Sequence, residues 1–565
     1  MFFPDRLQGI RAGRRVKEQE EKTMRRWNGW GDDSIQPQLP ENGLTFLKDR
    51  IGAATRLPQA ILEDVISKVP PSRLPDQPLI SRDPETRIRH ARGQSLPDWL
   101  AMRSGHIPAY PDGVARPGNT HQVRELLQLA RDQGFHVIPY GGGTSVAGHI
   151  NPLAGDTPVL TISMARMNRL LDLDTESQIA TFGAGTPGPL VESQLRAHGY
   201  TLGHFPQSFE LSTLGGWIAS RSSGQQSLRY GRIEQLFAGG TVETLRGSLR
   251  IPTLPASSAG PDVREMILGS EGRLGIITEA KVRVTPLPEQ ESFHVMFFPN
   301  WTLAREAARR MVQAKLPLSM LRLSNEEETR TQLALAGHPA QIRLLENYLA
   351  LRRAGSTKCM MTFGITGSPR QCRFAREEVR RLCKPFRGVY MGTGMGRKWA
   401  EKRFAMPYLR ETLWELGYAV DTLETATDWD NVDTLMGMVE DNLRHGLMEY
   451  NQPVHVFSHL SHVYPQGSSI YTTYVFPVAD NYRNTFARWQ HLKDTTSALI
   501  VNNRGTISHQ HGVGKDHAPW LPVEKGELGM MAIQGLLDTF DPRGLLNPGT
   551  LIAGNDTEDG ERPES

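Results

Sequence analysis

The sequence predicts a multidomain α+β protein, and three observations carry that prediction. The chain has 565 residues, well past the ~250–300 at which a single hydrophobic core stops growing. Short alternating apolar runs of strand type interleave with segments of helical period from Arg116 onward. Glycine is enriched, 54 of 565 or about 10% against a usual ~7%, and gathers into three dense segments at the ends of expected strands.

Composition removes several functional classes. With 38% hydrophobic and 22% charged residues the chain is of globular type, and no stretch nears the ~18 continuous apolar residues of a membrane span. The first 26 residues mix Phe2 and Phe3 with basic residues, Glu18, Glu20 and Glu21, and lack an apolar secretory core. Cys359, Cys372 and Cys383 form no CxxC pair, which excludes a disulfide scaffold or a cysteine-rich zinc site. A formal net charge of +3 is too small to suggest nucleic-acid binding.

Along the chain, residues 1–115 read as an N-terminal arm and a Pro-rich extension, with Trp27 and Trp30 suggesting that the arm docks. Asn119 and Gln122 suggest a capping box that opens a helix, with Val123, Leu126, Leu127 and Ala130 on one face and Gly134 at its end. Val137-Ile138 is an expected strand. Leu160, Ile162 and Met164 alternate with Val159, Thr161 and Ser163, as in a strand facing two environments. Gln178–Phe182 reads as a strand and Pro189–Ala197 as a helix, and Ile276–Val284 as a further strand. Pro286 and Pro288 mark a boundary, so 116–290 forms one domain and 291–505, with longer helices such as Ala304–Ala314, a second. Residues 506–553 form a C-terminal segment that ends in a helix and Leu545-Leu546-Asn547-Pro548-Gly549. Residues 554–565 make an acidic tail.

The three glycine segments have a definite chemistry. Pro139-Tyr140-Gly141-Gly142-Gly143-Thr144-Ser145 bares backbone N–H groups and adds two hydroxyl donors, which suits a diphosphate; a plain tight turn is the other reading. The second segment spans Gln207–Gly231 and the third Gly269–Gly275. No Gly-Lys-Ser/Thr ending follows the first, so it is no triphosphate loop. Gly392-Thr393-Gly394-Met395-Gly396 has the wrong spacing for a Rossmann fingerprint and is rejected as a cofactor loop.

Taken together, these segments resemble the FAD-binding domain of the vanillyl-alcohol oxidase and D-lactate dehydrogenase flavoprotein family. The likeness implies a two-subdomain, PCMH-type FAD-binding domain of α+β class, with a second α+β cap or substrate domain. It implies that Pro139 to Ser145 hold the FAD pyrophosphate. The rest of the cofactor would lie along Gln207, Ser208, Phe209, Glu210, Leu211, Ser212 and Thr213, along Ser220, Arg221, Ser222 and Ser223, and along Glu271, Gly272, Arg273, Leu274, Gly275, Ile276 and Ile277. FAD is expected to be non-covalent, with His149 a solvated or structural imidazole rather than an attachment point.

Trp27-Asn28-Gly29-Trp30-Gly31, Gly215-Gly216-Trp217-Ile218, Ala259-Gly260-Pro261-Asp262, Arg322-Leu323, Tyr408-Leu409-Arg410 and His509-Gln510-His511-Gly512 resemble one branch, the alkyldihydroxyacetonephosphate synthases. That branch exchanges the acyl group of acyl-dihydroxyacetone phosphate for a fatty alcohol in ether lipid synthesis. The likeness implies FAD used without net redox, with flavin N5 holding the dihydroxyacetone-phosphate carbon. It assigns the substrate phosphate to Arg410, whose residue type suits bidentate phosphate binding; a helix-surface arginine paired with Glu411 or Glu415 is the alternative. It assigns proton transfer to Tyr471, with Tyr474 as the other candidate. A phenol of pKa ~10 becomes a useful base only if positive charge lowers it, and His509 or His511 are the expected source. The family carries three consecutive histidines, whereas the middle one here is Gln510, an amide that cannot titrate.

Other readings stand beside this one. An FAD-linked dehydrogenase of D-2-hydroxy acids shares the fold, but its Gly-Asp-Gly-Asn metal motif is missing at Phe457–Tyr464. His455, His459 and His462 do not all share one strand face, so no metal is expected. An inactive FAD-stabilised binding protein is the alternative of another class, with Gln510 in its favour and the joint presence of Arg410 and Tyr471 against it. The expected partners are acyl-dihydroxyacetone phosphate and a fatty alcohol, with no nucleic acid. A homodimer is left open, as is peripheral membrane contact through Arg11, Arg14, Arg15, Arg25 and Arg26. The ending Arg562-Pro563-Glu564-Ser565 carries no Ser-Lys-Leu address, and a cytoplasmic protein is expected.

Overall fold

A computed structural model describes residues 25–553. Arg11, Arg14, Arg15 and the acidic tail 554–565 lie outside the described residues. Three main sheets organise the chain. The first has four strands in the order Ile80–Ser81, Gly113–Ala115, Val159–Ser163, His136–Tyr140, and Val159–Ser163 runs parallel to both of its neighbours. The helix Thr120–Gln133 supplies the crossover that a parallel pair requires. Asn119 caps it by accepting from Gln122 N, and Gly134 ends it at φ 77°. The expected capping box is only half formed, because the Gln122 side chain turns to Gly118 N instead of Asn119 N. The alternation at Val159–Ser163 also misleads. All five residues are buried, since Leu160 and Ile162 pack with Val123 and Leu126 while Val159 packs with Ile138 and Tyr140.

The second sheet is antiparallel, in the order Leu170–Asp174, Ile179–Gly183, Ile276–Arg283, Phe237–Thr244, Gly247–Ile251. The helix Gly188–Arg196 packs Val191 and Leu195 into its core, with Phe182 and Val282 from the strands. The third sheet has seven antiparallel strands: Val389–Tyr390, Gln290–Phe298, Cys359–Gly367, Leu318–Ser324, His455–Leu460, Gly467–Pro477 and Tyr418–Asp428. Helices Trp301–Gln313, Pro369–Cys383 and Val432–His445 bury their apolar faces in the same core as these strands.

Both ends of the chain return to this frame. Trp30 is buried in the core of the seven-stranded sheet, and Trp27 packs at the cluster around Val65 and Met102. After the helix Leu521–Phe540, the chain adds itself beside the first sheet, where Val137 N donates to Leu545 O (2.8 Å) and Asn547 N to Val137 O (2.8 Å). Gly392–Gly396 leads into the helix Gly394–Lys402, and Gly396 packs on the backbone of Phe293.

Candidate functional site

A cavity of about 390 Å³ lies where the three sheets meet. One end is walled by main chain. All of Pro139 to Ser145 line it, together with Gln207, Ser208, Ser212, Thr213, Ser220, Ser222, Glu271, Gly272, Gly275, Ile276 and Ile277. Glycine is required here by close approach: a Cβ on Gly142 would sit 1.8 Å from Leu211 O, and one on Gly141 2.3 Å from Thr213 Oγ1. The first glycine segment therefore rests directly on the second. Gly215, Gly216 and Ala219 of the short helix Leu214–Ala219 also line the cavity.

Seven of the expected cofactor residues stand outside this wall. Phe209 packs against Phe205 and Phe404 in the core, with ring centroids 5.3 and 5.0 Å apart. Glu210 accepts from Tyr408 OH (3.0 Å), and Leu211 lends only its carbonyl beneath Gly142. Arg221 pairs with Glu265 (2.5 Å) and Leu268 O, and Arg273 reaches Asn547 O (3.5 Å). Ser223 and Leu274 are each 1% exposed within the fold. Glu271 does line the cavity, but its carboxylate is already engaged. It accepts from Val513 N (2.5 Å) and Gly514 N (2.8 Å), and pairs with His149 Nε2 (3.1 Å). Burial opposes a charge on His149, yet Glu271, Asp516 and Asp98 outweigh burial and raise it above the ordinary histidine range. His149 is thus a buried strut between Ser145 and Glu271, not a solvated ring. A wall of glycine main chain and hydroxyls, with its single carboxylate neutralised, fits the diphosphate of a dinucleotide.

The other end of the cavity is built from side chains on the seven-stranded sheet and the helix Met406–Glu415. Arg410 is held flat over the Trp99 ring, 4.1 Å from its centroid, by Nε to Val420 O (3.1 Å) and Nη1 to Gln94 O (2.6 Å). Glu411 and Glu415 do not pair with it. Glu411 takes Arg103, Arg26 and Trp30 N, and Glu415 takes Arg56. Nη2 is buried without a hydrogen-bond partner among the described residues. Burial lowers the guanidinium from its ordinary value. A half-buried cation with one buried nitrogen spare is a natural anion receptor.

Tyr471 lines the same cavity, donating to Thr422 Oγ1 (3.3 Å) and stacked on His459 at 4.9 Å between centroids. Tyr474 points to the opposite face of its strand, fully buried against Asp421. The expected lowering of the phenol does not occur: burial pushes Tyr471 up to about 12. Arg322 and the Thr422 hydrogen bond offset only part of this, and the expected histidines do not help, because they are not cationic. Burial pushes His509 down to about 4 and also lowers His511. His509 is fixed in one tautomer. Arg232 Nη1 lies 2.7 Å from its Nε2, and a guanidinium only donates, so Nδ1 carries the proton offered to Glu424 Oε1 (3.1 Å). His509 does not line the cavity, whereas Gln510 and His511 do.

Glu424 is the hub of this end, and nothing in the sequence pointed to it. Gln510 Nε2 (2.6 Å), Ser461 Oγ (2.7 Å) and His509 donate to it, while His462 Nδ1 (3.5 Å) and His511 Nε2 (3.9 Å) stand close by. Burial works to raise its carboxyl, but His509 and His462 overcome that and hold it well below the usual range. Gln510 therefore supplies a hydrogen bond at the place where it departs from the family pattern. Glu424, His462 and His509 offer ligand atoms within 4.8 Å of one another, although Arg232 already brings positive charge to His509. His455 and His459 stand outside this cluster: His455 bonds Thr331, and His459, on the cavity wall beneath Tyr471, pairs with Glu328 and Arg322. Gln94 was also missed. Its backbone and side chain together bond Ser145 O (2.6 Å), Arg410, Gly29 O (3.2 Å) and Trp99 Nε1 (2.8 Å), joining both ends of the cavity.

Comparison with known proteins identifies the family. The model of an FAD binding domain matches residues 111–251, and that of the C-terminal domain of FAD linked oxidases matches 287–551. The chain is 32% identical to an alkyldihydroxyacetonephosphate synthase of Dictyostelium discoideum over 87% of this chain and 81% of that one. It is 30% identical to the synthase of that name from Trypanosoma brucei brucei, over 93% and 92%. A solved alkyldihydroxyacetonephosphate synthase structure superposes with a TM-score of 0.81 at 27% identity, covering 93% of this chain and 98% of the other. The chain belongs to the alkyldihydroxyacetonephosphate synthase family of FAD-binding enzymes.

Proposed function

We propose that this protein is an FAD-dependent enzyme that exchanges the acyl group of acyl-dihydroxyacetone phosphate for a fatty alcohol, forming an ether. The observation that carries the reading is a half-buried arginine with a buried spare nitrogen sharing one cavity with a half-buried tyrosine and a glycine-walled dinucleotide end. Family membership supports it. In this reaction the bond between the dihydroxyacetone carbon and the carboxylate oxygen breaks, and a bond from that carbon to the alcohol oxygen forms. The acid leaves as carboxylate, the alcohol gives up its proton, and no electrons are gained or lost overall. FAD, held by the glycine end, supplies the chemistry that activates the carbon.

The chain's own residues divide the remaining work. Arg410 anchors the phosphate. Tyr471 is a neutral phenol across the physiological range, so it enters the cycle as a proton donor and becomes an acceptor only after giving its proton away. His511 lies edge-on to Tyr471, 6.1 Å between centroids, where it can pass that proton on. Glu424 keeps Gln510 and His509 in register beneath them.

The decisive assay is incorporation of labelled hexadecanol into palmitoyl-dihydroxyacetone phosphate by the yellow holoprotein, without net bleaching of the flavin. Bleaching by D-lactate or D-2-hydroxyglutarate with no incorporation would replace this reading with a dehydrogenase. Arg410→Ala should raise KM for the phosphorylated substrate roughly 10- to 100-fold, the worth of a hydrogen bond to a charged group. Peripheral membrane contact and a homodimer belong to the same proposal, and vesicle cosedimentation and light scattering test them. Among the described residues no helix is long and apolar enough to cross a membrane.

A further inference from the structure

The cavity that Arg410 lines holds a second buried donor with nothing to bind. Trp30 is 5% exposed and lines the cavity, and its indole Nε1 has no hydrogen-bond partner among the described residues. Most buried indoles of this protein are satisfied. Trp99 donates to Gln94 Oε1 (2.8 Å), Trp217 to Ser212 Oγ (2.7 Å), Trp429 to Tyr464 O (3.0 Å) and Trp489 to Asp421 Oδ2 (2.6 Å). Trp414 Nε1 is also unpartnered, but Trp414 lies outside the cavity wall. An N–H removed from water and left unpaired is costly, and native folds keep few of them without a use.

Trp30 and Arg410 are held in one small framework. Trp30 N donates to Glu411 Oε1 (2.6 Å), the residue next to Arg410 in the helix Met406–Glu415. Gln94 holds both sides, taking Arg410 Nη1 on its backbone oxygen and giving its side-chain amide to Gly29 O. A Cβ on Gly29 would fall 2.0 Å from Glu411 Oε1, so a side chain there would displace the carboxylate that holds Trp30 N. The segment carrying Trp30 is thus pressed against the helix that carries Arg410.

We propose that Trp30 is a substrate-binding residue whose indole Nε1–H joins Arg410 Nη2 in closing on one phosphate monoester. The proposal rests on the reading of Arg410 given above and adds a neutral, directional donor to its charge. Two of the five guanidinium N–H groups are committed to carbonyls, which fixes the direction of those that remain, and the indole N–H adds a neutral donor from a second side. Arg410 provides attraction and Trp30 provides orientation.

The test uses FAD-loaded protein and three forms: wild type, Trp30→Phe and Arg410→Ala. Inorganic phosphate and dihydroxyacetone phosphate are titrated by the change they cause in flavin absorbance, with dihydroxyacetone as the phosphate-free control. Trp30→Phe keeps the ring and removes the N–H. It should retain FAD and its melting temperature, weaken both phosphate ligands roughly 10-fold, and raise KM for acyl-dihydroxyacetone phosphate while leaving kcat within about twofold. Trp30→His, which returns a ring N–H, should recover part of the affinity. Wild-type phosphate affinity in Trp30→Phe, with a loss in Arg410→Ala, would overturn the role of Trp30 and leave that of Arg410 standing. Unchanged affinity in both variants would overturn the underlying reading as well. Loss of FAD from a Trp30→Phe protein that melts normally would assign the indole to the cofactor and overturn the proposal.

Discussion

The two ends of the cavity are made of different material. The glycine end consists of backbone and short hydroxyl side chains drawn from three segments, each continuous in sequence. The far end is made of single long side chains, Arg410, Tyr471 and Gln510 on the wall with Glu424 and Arg232 behind it, brought from five different places in the chain. A backbone wall tolerates no added atom, whereas a side-chain cluster can exchange one donor for another if the hydrogen bond survives. The first end recognises by shape, and the second by charge and proton position.

Four tests would sharpen or break that contrast. Gly142→Ala should have the largest effect, because the new Cβ meets the Leu211 carbonyl at 1.8 Å and backbone must move. FAD content, read from flavin absorbance, should fall to a small fraction of wild type; full loading would show that the wall is not rigid. Tyr471→Phe should keep its FAD and lose roughly a hundred- to ten-thousand-fold in kcat, measured by alcohol incorporation, since it deletes a proton donor while keeping the ring. Normal turnover would remove Tyr471 from the chemistry.

The third test uses pH, because the two ends titrate in opposite senses. His149 is raised in the folded state, so its contribution is complete at low pH and is lost as pH rises through its folded value. His509 is lowered to about 4, so the unfolded chain takes up a proton first and stability drains away as pH falls from ~6.5 towards 4. In chemical denaturation, His149→Gln should therefore cost more stability at pH 5.5 than at pH 8, and His509→Gln less. The same sign for both would contradict the two environments. Gln510→His should have the smallest effect, a change in kcat of less than about threefold, since either side chain can donate to Glu424. A tenfold gain would mean that the position has work beyond that hydrogen bond.

The same contrast decides what was legible in the sequence. The glycine segments and their flanking strands were visible because the physical requirement, main chain without side chains, is written locally. The expected stretches were nonetheless too broad, since a run such as Gln207–Thr213 alternates between cavity and core: Ser208 and Ser212 face the cavity while Phe209 packs behind it. Arg410 and Tyr471 were found through family resemblance, and no feature of their spacing would have separated them from a surface arginine or a core tyrosine. Glu424 and Gln94 left no signal. Each matters through partners dozens to hundreds of residues away, and an isolated Glu in a strand or a Gln in a loop looks like many others. The expected cationic histidines failed for a related reason, because burial cannot be read from the motif that contains them.

Gln94 spends every polar group it has on bridging. Its amide nitrogen grips the glycine-loop segment at Ser145, and its carbonyl grips the arginine at the opposite end. The pocket's two halves are consequently tied through one glutamine, so that a shift of the Ser145 segment would be passed on to the guanidinium at the far side. Emptying the protein of its cofactor would then blunt its appetite for sugar phosphates, and saturating it with such phosphates would slow the cofactor's escape.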